Sequence, residues 1–119
     1  MIKSICYVDP DGTKFWYLDG KLCREDGPAI EYPDGTKAWY LNGKCHREGG
    51  PAVEFLDETK GWFKTWYLNG KRHREDGPAF ERADGIEYWY LNDEFIGNKQ
   101  PENWDELVAL AQVEKIMND

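Results

Sequence analysis

Two short stretches of this chain gather groups that do chemistry in other proteins. His46-Arg47-Glu48 and His73-Arg74-Glu75 each set an imidazole, a guanidinium and a carboxylate side by side. An imidazole beside a carboxylate suits general acid–base work, and a guanidinium suits a developing oxyanion. Cys23 precedes Arg24-Glu25 in the place the two histidines hold, and a thiol near an imidazole suits a nucleophile or a metal site. Recurrence argues against both. A catalytic group is needed once, whereas a group that closes a turn is needed in every turn. Arg47 and Arg74 are therefore expected to bridge loop carboxylates or carbonyls. Ser4 is the only serine, which leaves serine nucleophiles out. The glycines are turn glycines, with no phosphate-cradling loop among them. No catalytic residue and no cofactor is expected.

The elements that carry these groups repeat. Trp16 and Trp39 are 23 residues apart, as are Trp66 and Trp89, while Trp39 and Trp66 are 27 apart. The unit is thus 23 residues, with a four-residue insertion between copies two and three. Each unit holds two β-prone runs. Thr36-Lys-Ala-Trp-Tyr-Leu41 is rich in aromatic residues, Asn42-Gly43 favours a turn with positive φ, and Ala52-Val-Glu-Phe55 starts after Gly50-Pro51. Pro33-Asp34-Gly35 turns the chain into the next unit.

Two strands per unit give a mainly β fold, an antiparallel meander of stacked hairpins in one elongated sheet. Residues 11–92 supply four repeats and residues 2–10 a half repeat, with Ile2–Val8 as the edge strand. Equivalent residues of successive units are expected roughly 10 Å apart. At that spacing Cys23, His46 and His73 cannot share one ion, so no metal site is expected.

Alternation along a strand puts Trp39 and Leu41 on one face with Trp16/Leu18, Trp66/Leu68 and Trp89/Leu91. This face, joined by Ile30, Val53 and Phe80, is the expected core. The other face carries Tyr17, Tyr40, Tyr67 and Tyr90 and the variable positions Phe15, Ala38, Thr65 and Tyr88. The tyrosines either form a binding strip or cover a thin sheet. The insertion adds Trp62 and Phe63, which either meet a partner or lengthen a hairpin. The last copy loses its Arg-Glu-Asp-Gly-Pro loop and runs into 101–117, where Pro101 and early acids mark a helix. Trp104, Leu107, Val108 and Ala111 form its apolar stripe. It is expected to cap the stack, or else to make a homodimer or partner contact.

The Trp…Gly-Lys-x-His…Gly pattern and the 23-residue period over about residues 11–92 resemble the MORN repeat, whose units are stacked β-hairpins. The spacing departs from that family between Trp39 and Gly43, and between His46 and Gly50. Trp-Tyr-Leu-Asn-Gly-Lys-x-His-Arg-Glu-Asp-Gly-Pro-Ala looks closer still to an uncharacterised repeat of bacteriophage and bacterial small proteins. That resemblance implies architecture and not a reaction.

The chain has 119 residues and a formal net charge of −8. From residue 93 onward seven acids face two bases, a net of −5. A basic surface for nucleic-acid phosphates is missing, and so is a polybasic segment for anionic membranes. Three cysteines make no disulfide framework, and no signal pattern opens the chain, so a cytoplasmic location is expected. The function expected is a non-enzymatic protein-binding repeat module. The phage resemblance extends this to a phage-encoded inhibitor that occludes a host defence protein. The alternatives are MORN-type phospholipid binding and a carbohydrate-binding module. Contact residues are expected among Phe15, Tyr17, Tyr40, Trp62, Phe63, Tyr67, Tyr88, Tyr90 and Trp104.

Overall fold

A computed structural model of the chain describes residues 3–118. Ile2, placed by the sequence in the edge strand, lies outside them. The described residues form a largely single open antiparallel sheet with one C-terminal helix, in a slab measuring 48 × 39 × 17 Å. The strands are β1 (Ile5–Val8), β2 (Lys14–Leu18), β3 (Lys21–Leu22), β4 (Ile30–Glu31), β5 (Lys37–Ala38), β6 (Tyr40–Leu41) and β7 (Lys44–Cys45). They continue as β8 (Val53–Asp57), β9 (Gly61–Thr65), β10 (Tyr67–Leu68), β11 (Lys71–Arg72), β12 (Phe80–Arg82), β13 (Glu87–Leu91) and β14 (Glu94–Gly97). The main sheet runs β1-β2-β4-β5-β8-β9-β12-β13-β14, with β3 attached to β2.

Each unit changes hydrogen-bonding partner at its tryptophan. In the second copy, β5 pairs in the main sheet while β6 turns away into a hairpin with β7. Asn42 and Gly43 close that hairpin with φ of 52° and 78°, the left-handed pair that a two-residue hairpin turn requires. The small hairpins form a second row joined by backbone bonds. Gly43 N–H donates to Leu22 O (2.8 Å), Gly70 N–H to Cys45 O (2.8 Å) and Asp93 N–H to Arg72 O (2.9 Å). The stack is therefore held along two parallel lines, sheet and hairpin row, with the tryptophans at the bend.

The arginine of each unit fastens that bend. The guanidinium carbons of Arg24, Arg47 and Arg74 each lie 3.9 Å from the ring centres of Trp16, Trp39 and Trp66. Their Nη1 atoms donate to the carbonyls of Pro28, Pro51 and Pro78 at 3.0–3.1 Å. The same Nη1 atoms reach Glu31, Glu54 and Glu81 at 2.9, 3.3 and 3.0 Å. The loop wraps so closely that a Cβ on Gly77 would stand 2.7 Å from the Arg74 guanidinium carbon. Beneath the latch Ala29, Ala52 and Ala79 are fully buried. Nothing larger fits there, which accounts for the Gly-Pro-Ala triplet.

Register corrects the expected faces. Directly opposed residues in an antiparallel pair share a face. Ile30 opposes Phe15 and Ala38, Val53 opposes Ala38 and Thr65, and Phe80 opposes Thr65 and Tyr88. Ile30, Val53 and Phe80 thus belong to the tyrosine side, not to the tryptophan side. The partners of the tryptophans are the alanines: Trp16, Trp39 and Trp66 N–H donate to Ala29, Ala52 and Ala79 O. The tryptophan side also carries a charge ladder, Lys14-Glu31-Lys37-Glu54-Lys64-Glu81, whose opposite signs sit across each strand pair from β2 to β12 and which ends where Glu81 faces Glu87 of β13.

The helix α1 (Trp104–Asn118) closes the last copy, which has no arginine latch. Trp104 meets Trp89 edge-to-face, with centres 4.8 Å apart, in the place where an arginine lies on the earlier tryptophans. Its Nε1 donates to Glu75 O (2.8 Å). Trp89, Leu91, Trp104 and Ala111 form the core cluster, flanked by Ile96, Leu107 and Val108. Only in this copy are the tryptophan and leucine of the repeat both buried; the earlier pairs are half-buried under their arginines.

Lysine offers neither the fork nor the flat face of a guanidinium. Arg74→Lys should lower unfolding stability by about 2 kcal/mol, since it loses charge-assisted bonds and the stack on Trp66. Gly77→Ala should move it in the same direction by displacing Arg74. Urea unfolding followed by tryptophan fluorescence measures both, with Lys71→Arg as a control expected within about 0.5 kcal/mol.

Candidate functional site

The groups that suggest chemistry are occupied one by one. His46 Nδ1 accepts from Asn69 N–H (2.9 Å), and His73 Nδ1 accepts from Asn92 N–H (3.0 Å). An imidazole accepting at Nδ1 holds its proton on Nε2, and in His73 that proton goes to Glu75 (2.9 Å). Each histidine therefore ties its loop to the turn of the next hairpin. The His73 bond also holds the Glu75 carboxyl below the usual glutamate range, with a smaller contribution from Gln112. Burial pushes the Cys45 thiol up to about 11, away from the thiolate a nucleophile needs. Cys23 is buried, and Cys6 is exposed on β1. Among the described residues no three metal-ligating side chains gather at one point. Between successive arginine loops lie open clefts of about 610 and 430 Å³, bordered by Glu25, Asp26, Glu48, Glu75 and Asp76.

The opposite side of the sheet is different in kind. Cross-strand register brings aromatic residues from seven strands of the main sheet onto it. The rings of Phe55, Phe63, Phe80 and Tyr88 follow one another with centres 5.5, 6.1 and 5.3 Å apart, and Phe95 continues the row at 6.0 Å. Phe15 stacks on Tyr17 at 6.3 Å. A hollow of about 480 Å³ opens among Ile30, Tyr32, Ala38, Tyr40, Val53 and Phe55. Tyr40 and Tyr67 are half-buried, and desolvation raises both phenol pKa values. Tyr90 packs on Phe95 at 5.5 Å and accepts a bond from Arg72. No second layer covers this face among the described residues: Tyr7, Tyr32, Phe55 and Phe95 are 56%, 42%, 41% and 54% exposed.

The expected contact residues separate accordingly. Phe15, Tyr17, Tyr40, Phe63, Tyr67, Tyr88 and Tyr90 lie together on this face. The insertion extends the β8–β9 hairpin by the pairs Phe55↔Phe63, Leu56↔Trp62 and Asp57↔Gly61. Phe63 thereby joins the aromatic row, and Trp62 lands on the other side, 4.7 Å beneath the Lys64 ammonium. Trp104 is a correction. It is 4% exposed and fixed in the helix junction, so it offers no surface to a partner. Sequence reasoning missed Tyr7, Tyr32, Phe55 and Phe95. The first three were readable, because Ile30-Glu-Tyr32 and Val53-Glu-Phe55 alternate with period two, and Tyr7 alternates with Ile5. Among the described residues no helix is long and apolar enough to cross a membrane.

No protein-family model, no curated protein and no solved structure matches this chain.

Alkylation separates the three thiols. Iodoacetamide at pH 7.5 should modify Cys6 in the folded protein and leave Cys23 and Cys45 intact until urea is added. Mass spectrometry reads the sites. Modification of Cys45 at the rate of Cys6 would contradict the burial that raises its pKa.

Proposed function

We propose that this chain is a non-enzymatic binding module that lays the aromatic face of its sheet on the surface of a partner protein. The observation that carries the reading is the contiguous row from Phe55 to Phe95, bordered by exposed Tyr32 and Tyr17 and left without a covering layer among the described residues. Large exposed apolar patches mark interaction sites, and aromatic side chains carry much of the energy of protein interfaces. The chemistry-bearing groups on the other side support the same reading, since His46 and His73 tie each repeat to the next and Arg47 and Arg74 close the loops of their own repeats. The sharper form, a phage-encoded inhibitor that occludes a host defence protein, rests on the wording of the repeat.

The two alternatives have less support. Phospholipid binding of the MORN type needs cationic residues beside the docking face, and the loops here present Glu25, Asp26, Glu48 and Asp76. A sugar platform needs exposed ring faces, and in the row from Phe63 to Tyr88 the rings stack on one another.

Tyr32→Glu with Phe55→Glu places two charges on the open face without touching a latch. The wild type should retain a stoichiometric protein from a bacterial lysate, and the double variant should lose it at an unchanged melting temperature. Equal retention by both, no stoichiometric partner, or strong co-sedimentation with anionic vesicles would contradict the proposal.

A further inference from the structure

The two ends of the sheet are not alike. At the β14 end the register shifts between Trp89 and Tyr90, Glu94 is exposed, and the chain goes on into α1. Bulges, charges and covering elements are the usual protections of a sheet edge. At the other end β1 has none of them among the described residues. Ile5, Cys6, Tyr7 and Val8 are all exposed, none is charged, and among the described residues β1 pairs with β2 alone.

Backbone parity says which groups of β1 face outward. Asp9 N–H donates to Thr13 O (2.9 Å), so the pair Asp9↔Thr13 is a hydrogen-bonded one. Hydrogen-bonded and open pairs alternate along an antiparallel ladder. With Tyr7 opposite Phe15 and Ile5 opposite Tyr17, the odd-numbered residues of β1 bond to β2. The N–H and C=O groups of Ser4, Cys6 and Val8 therefore point to the free edge, and among the described residues no backbone group meets them.

We propose that this edge binds a second copy of the same chain, β1 against β1 in antiparallel pairing about a two-fold axis at Cys6. Outward-pointing residues must oppose one another, which leaves only registers in which the paired residue numbers have an even sum. One such register pairs Ser4 with Val8 of the second copy, Cys6 with Cys6, and Ile5 with Tyr7. The outward-facing pairs Ser4·Val8, Cys6·Cys6 and Val8·Ser4 then exchange about six N–H···O bonds. The same register sets Lys3 against Asp9, and the two-fold axis makes that ion pair twice. The neighbouring register at Tyr7 would place Ile5 against Asp9 instead. It would also set Lys3 against Asp11, which lies in the turn after β1 and accepts from Thr13 N–H, and Ser4 against Pro10, which has no N–H to donate. Pro10 and the Lys3–Asp9 pair together select the register at Cys6, although each chain carries a net −8. Ile5 and Tyr7 lie on the face of Tyr17 and Phe15, so pairing makes one aromatic face from two copies.

Sedimentation equilibrium over protein concentrations up to about 1 mM tests the assembly. The wild type and Cys6→Ser should reach a dimer with the same dissociation constant. Cys6→Pro removes an N–H that faces solvent, a position where an edge strand tolerates proline. It should remain monomeric with an unchanged circular dichroism spectrum. Lys3→Glu should raise the dissociation constant about fivefold at low salt, and Lys3→Glu with Asp9→Lys should restore it. A wild type that stays monomeric throughout, a folded Cys6→Pro variant that dimerises like the wild type, or a charge exchange that restores nothing would overturn the proposal. None of these outcomes depends on the partner protein of the aromatic face.

Discussion

The stack depends on an arginine held flat against a tryptophan by the loop that follows it. Even a partly buried guanidinium is costly unless its donors are satisfied. Here one face rests on an indole and Nη1 is shared between a proline carbonyl and a glutamate. The requirement propagates outward. Glycine must precede the proline because the guanidinium leaves no room for a Cβ. Alanine must follow because the tryptophan and its arginine cover it. The glutamate must come two residues later, on the charged side of the sheet, to accept the remaining bond. One contact therefore fixes five positions of each 23-residue unit, and it recurs in three of the four.

Two faces of opposite character result. One side of the slab is occupied by latches, lysine–glutamate pairs and acidic loops. With those groups committed, the aromatic residues collect on the other side, and a chain 17 Å thick has no layer left to cover them. The exposed rings follow from how the repeat closes itself. In the final copy the latch is absent and α1 takes over, with Trp104 lying against Trp89 where the earlier copies use arginine. The outer side of that helix bares Leu110, Val113, Ile116 and Met117.

The repeat spacing made the hairpins, their turns and the terminal helix legible, because Asn-Gly, Gly-Pro and Pro-Asp-Gly each restrict the backbone locally. The role of Arg47 and Arg74 was legible from recurrence alone. The faces were not fully legible. Ile30, Val53 and Phe80 were assigned by their apolar character, whereas their side is set by pairing across strands, and the break at each tryptophan changes the pairing partner within a unit. Trp104 falls on the apolar stripe of its helix, which the sequence leaves free either to cap the stack or to meet a partner, and only the docking of the helix decides between them. Register is a long-range property. Here it is fixed by tryptophan-to-alanine backbone bonds and by the charge ladder, neither of which a single strand displays.

If each of the first three units is closed by its own latch and touches only its neighbours, one of them is dispensable. Removing residues 24–46 joins Cys23 to Arg47, takes out one 23-residue period and offers Trp16 the latch of the next copy. Thermal unfolding by circular dichroism of that shortened chain is the most direct measurement. A single cooperative transition with a native-like folded baseline is the predicted result. A chain without a cooperative transition would show that the units do not tile, and the account built on the arginine latch would fail with it.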